Sequence, residues 1–120
     1  MRLLSLLSAV FLITCAMQAS DKPVAQKLEY NRDIRPILAE NCFACHGPDS
    51  AARKGGLRLD MRDQAIKKKA LIPGKLKESE LVARLHTADV DELMPPPNSH
   101  KKLTDAQKKM LEQWIEQGAE

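Results

Sequence analysis

The stretch Cys42-Phe43-Ala44-Cys45-His46 decides the fold of this 120-residue sequence. It places two thiols and an imidazole, three side chains that bind metals or cofactors, within five positions. The rest of the chain is poor in aromatic residues, and residues 21–120 contain only Tyr30, Phe43 and Trp114. A small domain buries a modest share of its surface, so it usually needs a metal, a disulfide or a cofactor when apolar side chains are few. The composition therefore predicts one small domain built around the group that this motif binds.

The order and spacing of these residues match the C-x-x-C-H pattern of c-type haem attachment. Two thiols separated by two residues can each add to one vinyl group of a haem, and the next residue then reaches the iron. We therefore predict a single covalent haem c, with Cys42 and Cys45 as its thioether anchors and His46 as one axial ligand of the iron.

Two other kinds of site, and a chance grouping of the three side chains, compete with this interpretation. Structural zinc sites usually draw four Cys or His ligands, and the remaining histidines, His86 and His100, stand alone in the sequence. A redox-active C-x-x-C pair is expected beside a strand in a βαβ pattern, whereas this chain shows short helical patterns. Both alternatives therefore lack part of the sequence context that they need.

The second axial position of such an iron has five formal candidates, namely Met61, Met94, Met110, His86 and His100. Met94 precedes three consecutive prolines, which hold the backbone in an extended, stiff loop. Met110 falls on the apolar stripe of a predicted helix, and His86 lies at the end of another. We predict Met94 as the distal ligand, with His86 as one alternative and a purely apolar packing role for Met94 as the other. Ligation by His and Met raises the reduction potential, which suits electron transfer.

Apolar periodicity predicts an all-α fold of short helices. The first of these helices lies at the start of the domain. Asn31 is a candidate N-cap for a helix that presents Ile34, Ile37 and Leu38 on one face. Pro36 lies beyond the first turn of that helix and is expected to kink or break it, so that two short turns result.

Several shorter elements and one longer helix are predicted in the second half. Leu57 and Leu59 alternate with charged residues and indicate a short extended segment, and helices are predicted over 63–68 and after Pro73-Gly74. The last helix begins at a Thr104-x-x-Gln107 capping box. Its predicted buried face consists of Ala106, Met110, Leu111, Trp114 and Ile115.

The N-terminal residues differ in composition from the rest. Arg2 precedes an apolar run and then small residues, which predicts a secretory signal peptide over 1–20 and an extracytoplasmic, periplasmic location. The run is shorter than a membrane-spanning helix requires. Residues 21–30 are interpreted as an extended lead-in and residues 31–120 as the domain. Membrane contact is expected only if the leader is retained or if Cys15 is lipidated.

The formal net charge is +3, with 19 basic and 16 acidic residues. This excess is below that of typical nucleic-acid-binding domains, so no nucleic-acid partner is predicted. Lysines are clustered, which fits either solvated faces or a ring that would steer an acidic redox partner protein. The clusters are Lys67 to Lys69, Lys75 and Lys77, Lys101 and Lys102, and Lys108 and Lys109.

Beyond the motif, nearly all of residues 31–120 resembles the planctomycete-type cytochrome c domain. The resemblance is carried by five groups of residues. They are Asp33 to Leu38 with Asn41 to Asp49, Lys54 to Asp60, Pro73-Gly74 with Ser79 to Leu81, Met94 to Pro97, and Trp114 to Ala119.

This resemblance implies a fold similar to class I cytochromes c, in which the first and last helices cross near the haem, and it implies Met94 as the distal ligand. In that family the domain commonly begins a longer secreted protein. From the motif, the predicted signal peptide and this resemblance, we predict an exported monohaem module that transfers single electrons and is not itself an enzyme. The alternative is a haem-bearing accessory or sensing module of a larger secreted multidomain enzyme.

Overall fold

The computed structural model describes residues 25–120, and the predicted signal peptide and Cys15 lie outside this range. Within the described residues the fold is all-α, as predicted, and contains no strand. No helix among them is long and apolar enough to cross a membrane. The α-helices are α1 (Arg35–Asn41), α2 (Phe43–His46), α3 (Arg62–Lys67), α4 (Glu80–His86) and α5 (Asp105–Glu116).

The chain enters the domain through a π-helical turn, Tyr30–Ile34, which continues directly into α1. The change of winding accommodates Pro36, because α1 starts at Arg35 and the proline then occupies its first turn. A proline is tolerated there, since the amide it lacks would have no partner within the helix. The predicted break is therefore a change of helix type, and the predicted cap at Asn31 is wrong because that residue lies inside the π turn.

The last helix was predicted accurately from local sequence. The Thr104 hydroxyl accepts a hydrogen bond from the Gln107 amide at 3.1 Å, and the Gln107 side chain accepts one from the Thr104 amide at 2.9 Å. Leu111, Trp114 and Ile115 are buried, as expected, whereas the predicted core residue Ala106 is exposed.

Helix α5 packs against the Tyr30–Ile34 turn and joins the two ends of the described chain. The rings of Tyr30 and Trp114 lie 5.8 Å apart, centroid to centroid. The Gln117 side chain accepts a hydrogen bond from the Leu28 amide at 2.8 Å and donates one to the Gln26 carbonyl at 3.1 Å. The last residues of the predicted lead-in are thus held against the helical domain.

Ser79 fixes the start of α4. Its side chain is buried, and its hydroxyl accepts a hydrogen bond from the Ile72 amide at 2.9 Å and donates to the Lys75 carbonyl at 2.8 Å. These bonds tie α4 to the preceding loop, and the Gly74 amide ties that loop to the Ile115 carbonyl of α5 at 2.7 Å. Helix α4 is therefore positioned from within the core. The core also includes Ile34, Ile37, Leu38, Leu59, Ala65, Ala70, Leu71, Leu85, Leu103, Leu111 and Ala119.

Candidate functional site

The cysteine-histidine motif forms a helical turn of its own directly after α1. The Cys42 amide donates to the Leu38 carbonyl at 2.8 Å and so ends α1. The Cys42 carbonyl then accepts from the Cys45 amide at 3.2 Å and from the His46 amide at 2.8 Å. Cys42 therefore makes the last hydrogen bond of α1 and the first hydrogen bonds of α2. The short turn of α2 brings the three motif side chains together.

The His46 ring is oriented by a backbone carbonyl from the next loop. Its Nδ1 lies 3.2 Å from the Lys54 carbonyl oxygen, and the Lys54 amide donates to the Cys45 carbonyl at 2.8 Å. A ring that donates from Nδ1 keeps the lone pair on Nε2, which is the atom left to bind a metal. Burial lowers the pKa of His46, with an opposing contribution from the Lys54 hydrogen bond, so burial favours the neutral, metal-binding form.

The two thiols differ in their surroundings. Cys45 is exposed, whereas Cys42 is half-buried, and the two are not joined in a disulfide. Burial raises the pKa of Cys42 to about 11, although nearby Lys101 lowers it in part. Redox-active C-x-x-C cysteines instead have depressed pKa values that favour the thiolate. The environment of Cys42 therefore gives no support to the redox-disulfide alternative.

Gly47 closes the motif for a steric reason that the sequence pattern did not reveal. It is buried, and a Cβ at this position would lie 2.3 Å from the Phe43 carbonyl oxygen. Real Cβ atoms do not approach a backbone oxygen this closely, so any larger residue would displace the end of α2. Glycine is thus required by close approach of the backbone to itself.

An open cavity of about 740 Å³ lies against this motif. Its volume falls in the range of small-molecule and cofactor sites. Apolar side chains from separate parts of the chain border it, among them Leu57, Leu81, Leu85 and Leu111. All three motif ligands also border it, as does Met94. The cavity therefore brings together every residue that the sequence analysis assigned to cofactor binding.

Met94 reaches the cavity on a loop that α4 supports. The Met94 amide donates to the Arg84 carbonyl at 3.0 Å, and the Met94 side chain is half-buried. Pro95 and Pro96 follow it along the cavity border, and the Met94–Pro95 peptide bond is cis. We call residues 92–96 the methionine loop.

The four other candidates for the second ligand position do not border the cavity. Met61 is exposed, and Met110 packs at the edge of the core. His86 is exposed at the end of α4, and its Nε2 is hydrogen-bonded to the Glu112 carboxylate of α5. His100 is exposed in a left-handed turn after the prolines.

Charged side chains from separate parts of the chain lie at the cavity border. Three exposed lysines border it, Lys54, Lys68 and Lys101, together with the ion-paired residues Glu80 and Arg84. Lys68 and Lys101 belong to lysine clusters described in the sequence analysis, whereas Lys54 belongs to none of them. The spacing of Glu80 and Arg84 by four residues could have indicated their pairing in a helix.

The donor set fits a covalently attached haem. Two thiols and an oriented imidazole border one side of a largely apolar cavity, and a thioether from a separate loop borders the same space. Zinc is less well served, because no group of three or more His, Cys, Asp or Glu residues in the described part of the chain could hold a metal ion.

A comparison with known families found a match for the part of the chain that forms the cavity. Residues 42–98 match the sequence model of a family described as planctomycete cytochrome C. The matched segment runs from the first motif cysteine through the methionine loop, so it contains both sides of the cavity that carry the candidate ligands. Comparisons with curated proteins and with solved structures gave no significant match.

Proposed function

We propose that this protein is a monohaem c-type electron carrier, because residues 42–98 match the sequence model of the planctomycete cytochrome C family. Cys42 and Cys45 would hold one haem by thioether bonds, His46 would bind its iron from one side and Met94 from the other. The observation that carries the proposal is that Met94, alone among the five formal candidates for the second position, borders the cavity next to the motif.

In this function the haem supplies the one-electron redox change, and the chain controls the surroundings of the iron. The Lys54 carbonyl keeps the His46 ring in one orientation and one tautomer. Leucine side chains from three parts of the fold, the loop that contains Leu57, helix α4 and helix α5, would surround the haem with apolar surface. A sulfur ligand and a low-polarity environment both favour the reduced iron, so we expect a fairly positive potential.

We further propose that an acidic redox protein docks at the mouth of the cavity. Lys54, Lys68 and Lys101 are exposed at its border, and none of them takes part in the ion pairs of the described residues. Their charges are therefore available to accelerate encounter with a partner of opposite sign, an effect that weakens with salt. We propose an extracytoplasmic location, as the composition of residues 1–20 predicts.

Optical spectroscopy tests the ligand set. The full chain is expressed with its N-terminal segment in a host that matures c-type cytochromes, and ferric and ferrous spectra are recorded. We expect haem that survives denaturation, and a ferric spectrum with the weak long-wavelength band of methionine sulfur on iron.

Two variants complete the test. Met94→Ala should abolish the methionine band, whereas the control Met61→Ala, which removes an exposed methionine away from the cavity, should retain it. Haem without the band in the unmodified chain would instead favour the accessory or sensing function, because an open iron would bind carbon monoxide readily in the ferrous state. A colourless folded protein would rule out the haem function.

A further inference from the structure

Arg84 contacts the methionine loop at two points, on either side of Leu93. Its main-chain carbonyl accepts the hydrogen bond from the Met94 amide at 3.0 Å. Its guanidinium forms an ion pair with the Glu92 carboxylate, and Nη1 also lies 3.5 Å from the Glu92 carbonyl oxygen. Arg84 thus contacts the loop both at Met94 and two residues before it.

The guanidinium is itself fixed on the helix. Its Nε donates to Glu80 Oε1, one turn earlier, at 2.9 Å. The side chain is 32% exposed and borders the cavity together with Glu80, Leu81 and Leu85 of the same helix. Since α4 is anchored in the core through Ser79, Arg84 links a fixed helix to a loop that has few other anchors in the described chain.

From these contacts we infer that Arg84 is a positioning residue that, together with Glu92, holds the Met94 sulfur toward the cavity. This inference rests on the proposed ligation by Met94. A thioether is a weak ligand, and its occupancy of an iron site depends on how firmly its loop is held. Loss of the guanidinium leaves the main-chain bond in place, so the loop should remain near the cavity but spend more time displaced from it.

The test measures how easily an external ligand replaces Met94 in the holoprotein. Imidazole binds the ferric iron only when the sulfur is displaced, so its apparent affinity rises in proportion to the displaced fraction. For a partly exposed ion pair we expect Arg84→Gln and Glu92→Gln each to raise the apparent imidazole affinity by roughly threefold to fivefold. The double variant should add little, because either substitution alone breaks the same contact.

Arg58→Gln is the matched control. Arg58 is another half-buried arginine, 29% exposed, and it is ion-paired to Asp60, but it does not border the cavity. A general loss of stability would affect this variant as well, whereas a positioning effect would not. Glu92→Gln keeps the packing of α4 intact, so the test survives if Arg84→Gln fails to fold.

The outcomes separate the two proposals. A methionine band in the unmodified protein, with imidazole affinity raised by the Arg84 and Glu92 variants and unchanged by Arg58→Gln, supports the inference. A methionine band with the same affinity in all variants overturns the positioning role and leaves the electron carrier standing. A bound haem that lacks the band in the unmodified protein overturns both.

Discussion

The two sides of the cavity are built by different means. On the motif wall, residues 42–55, the main chain supplies the critical contacts: the Cys42 carbonyl, the Lys54 amide and the Lys54 carbonyl position the motif and its imidazole. On the methionine wall, residues 80–96, a single main-chain bond from Met94 is supplemented by the side chains of Arg84 and Glu92.

This difference indicates where substitutions act. Apart from the motif ligands themselves and Arg53, whose side chain donates to the Gly47 and Pro48 carbonyls, side-chain changes on the motif wall leave its main-chain hydrogen bonds in place. Changes on the methionine wall remove contacts directly and should alter the occupancy of the second ligand position by small steps. The wall that would bear the covalent bonds therefore depends on few exposed side chains, and the methionine wall is the more adjustable of the two.

Gly47→Ala should break the motif wall and give the largest effect. The added methyl group meets the Phe43 carbonyl oxygen at 2.3 Å, and relief requires movement of main chain. We expect the holoprotein to lose about 3 kcal/mol of unfolding free energy, measured by chemical denaturation. A control is Gly55→Ala, where a Cβ would meet no atom within 4 Å and only the positive φ of 61° opposes it. Equal stability of Gly47→Ala and the unmodified protein would contradict the steric argument.

Ser79→Ala tests the core anchor of the methionine wall. It leaves the partly buried Ile72 amide without its hydrogen-bond acceptor, which should cost about 2 kcal/mol of unfolding free energy. Because α4 carries the methionine loop, imidazole affinity should rise along with the loss of stability. Ser79→Thr retains the hydroxyl and serves as the comparison. An alanine variant with unchanged thermal unfolding would show that α4 does not depend on this anchor.

Asp33→Asn probes a surface ion pair before the motif wall and should have a small, pH-dependent effect. The hydrogen bond from the Arg32 side chain, and to a smaller extent that from the Glu29 amide, lowers the pKa of Asp33 from an ordinary 3.8 to about 2. Its folded-state pKa is depressed, so its contribution to stability is full above about pH 4 and is lost as the pH falls toward 2. The stability difference between Asp33→Asn and the unmodified chain should therefore shrink over that range in acid titrations. A constant difference from pH 5 to about pH 2 would contradict this assignment.

Lys54→Ala tests whether the motif wall depends on the main chain of Lys54 and not on its side chain, and we expect no effect on the ligands of the iron. The hydrogen bonds that join the His46 ring and the Cys45 carbonyl to Lys54 are made by its main chain. The ferric spectrum and the imidazole affinity should therefore match those of the unmodified holoprotein, while association with an acidic partner slows at low salt. A changed spectrum would mean that the lysine side chain, and not the carbonyl, controls the ring.

Elements that depend on local sequence were predicted well. The capping box of α5 and its apolar stripe need only neighbouring residues; the box is present, and so is the stripe except at the exposed Ala106. The family resemblance is confirmed over 42–98, and the roles of Cys42, Cys45, His46 and Met94 stay predictions.

Features that depend on main-chain contacts could not be predicted. The carbonyl of Lys54 reaches His46 because of how the intervening loop folds, and no side-chain pattern encodes it. The π turn places Ile34 in the core and Pro36 in the first turn of α1, and apolar spacing alone does not distinguish this winding from an ordinary helix. The two contacts of Arg84 with the methionine loop likewise require the fold to bring positions 84, 92 and 94 together.

Trp114 gives the molecule a built-in optical reporter. It is the single tryptophan of the chain, it is buried against Tyr30, and it lies one turn along α5 from Leu111, which borders the cavity. Indole emission overlaps strongly with haem absorption, and energy transfer between them falls steeply with distance. With haem in the cavity, the fluorescence of Trp114 should be quenched in the folded protein and should recover as α5 separates from the cavity during unfolding. Each molecule would therefore signal, in emitted light, whether its last helix is still in place.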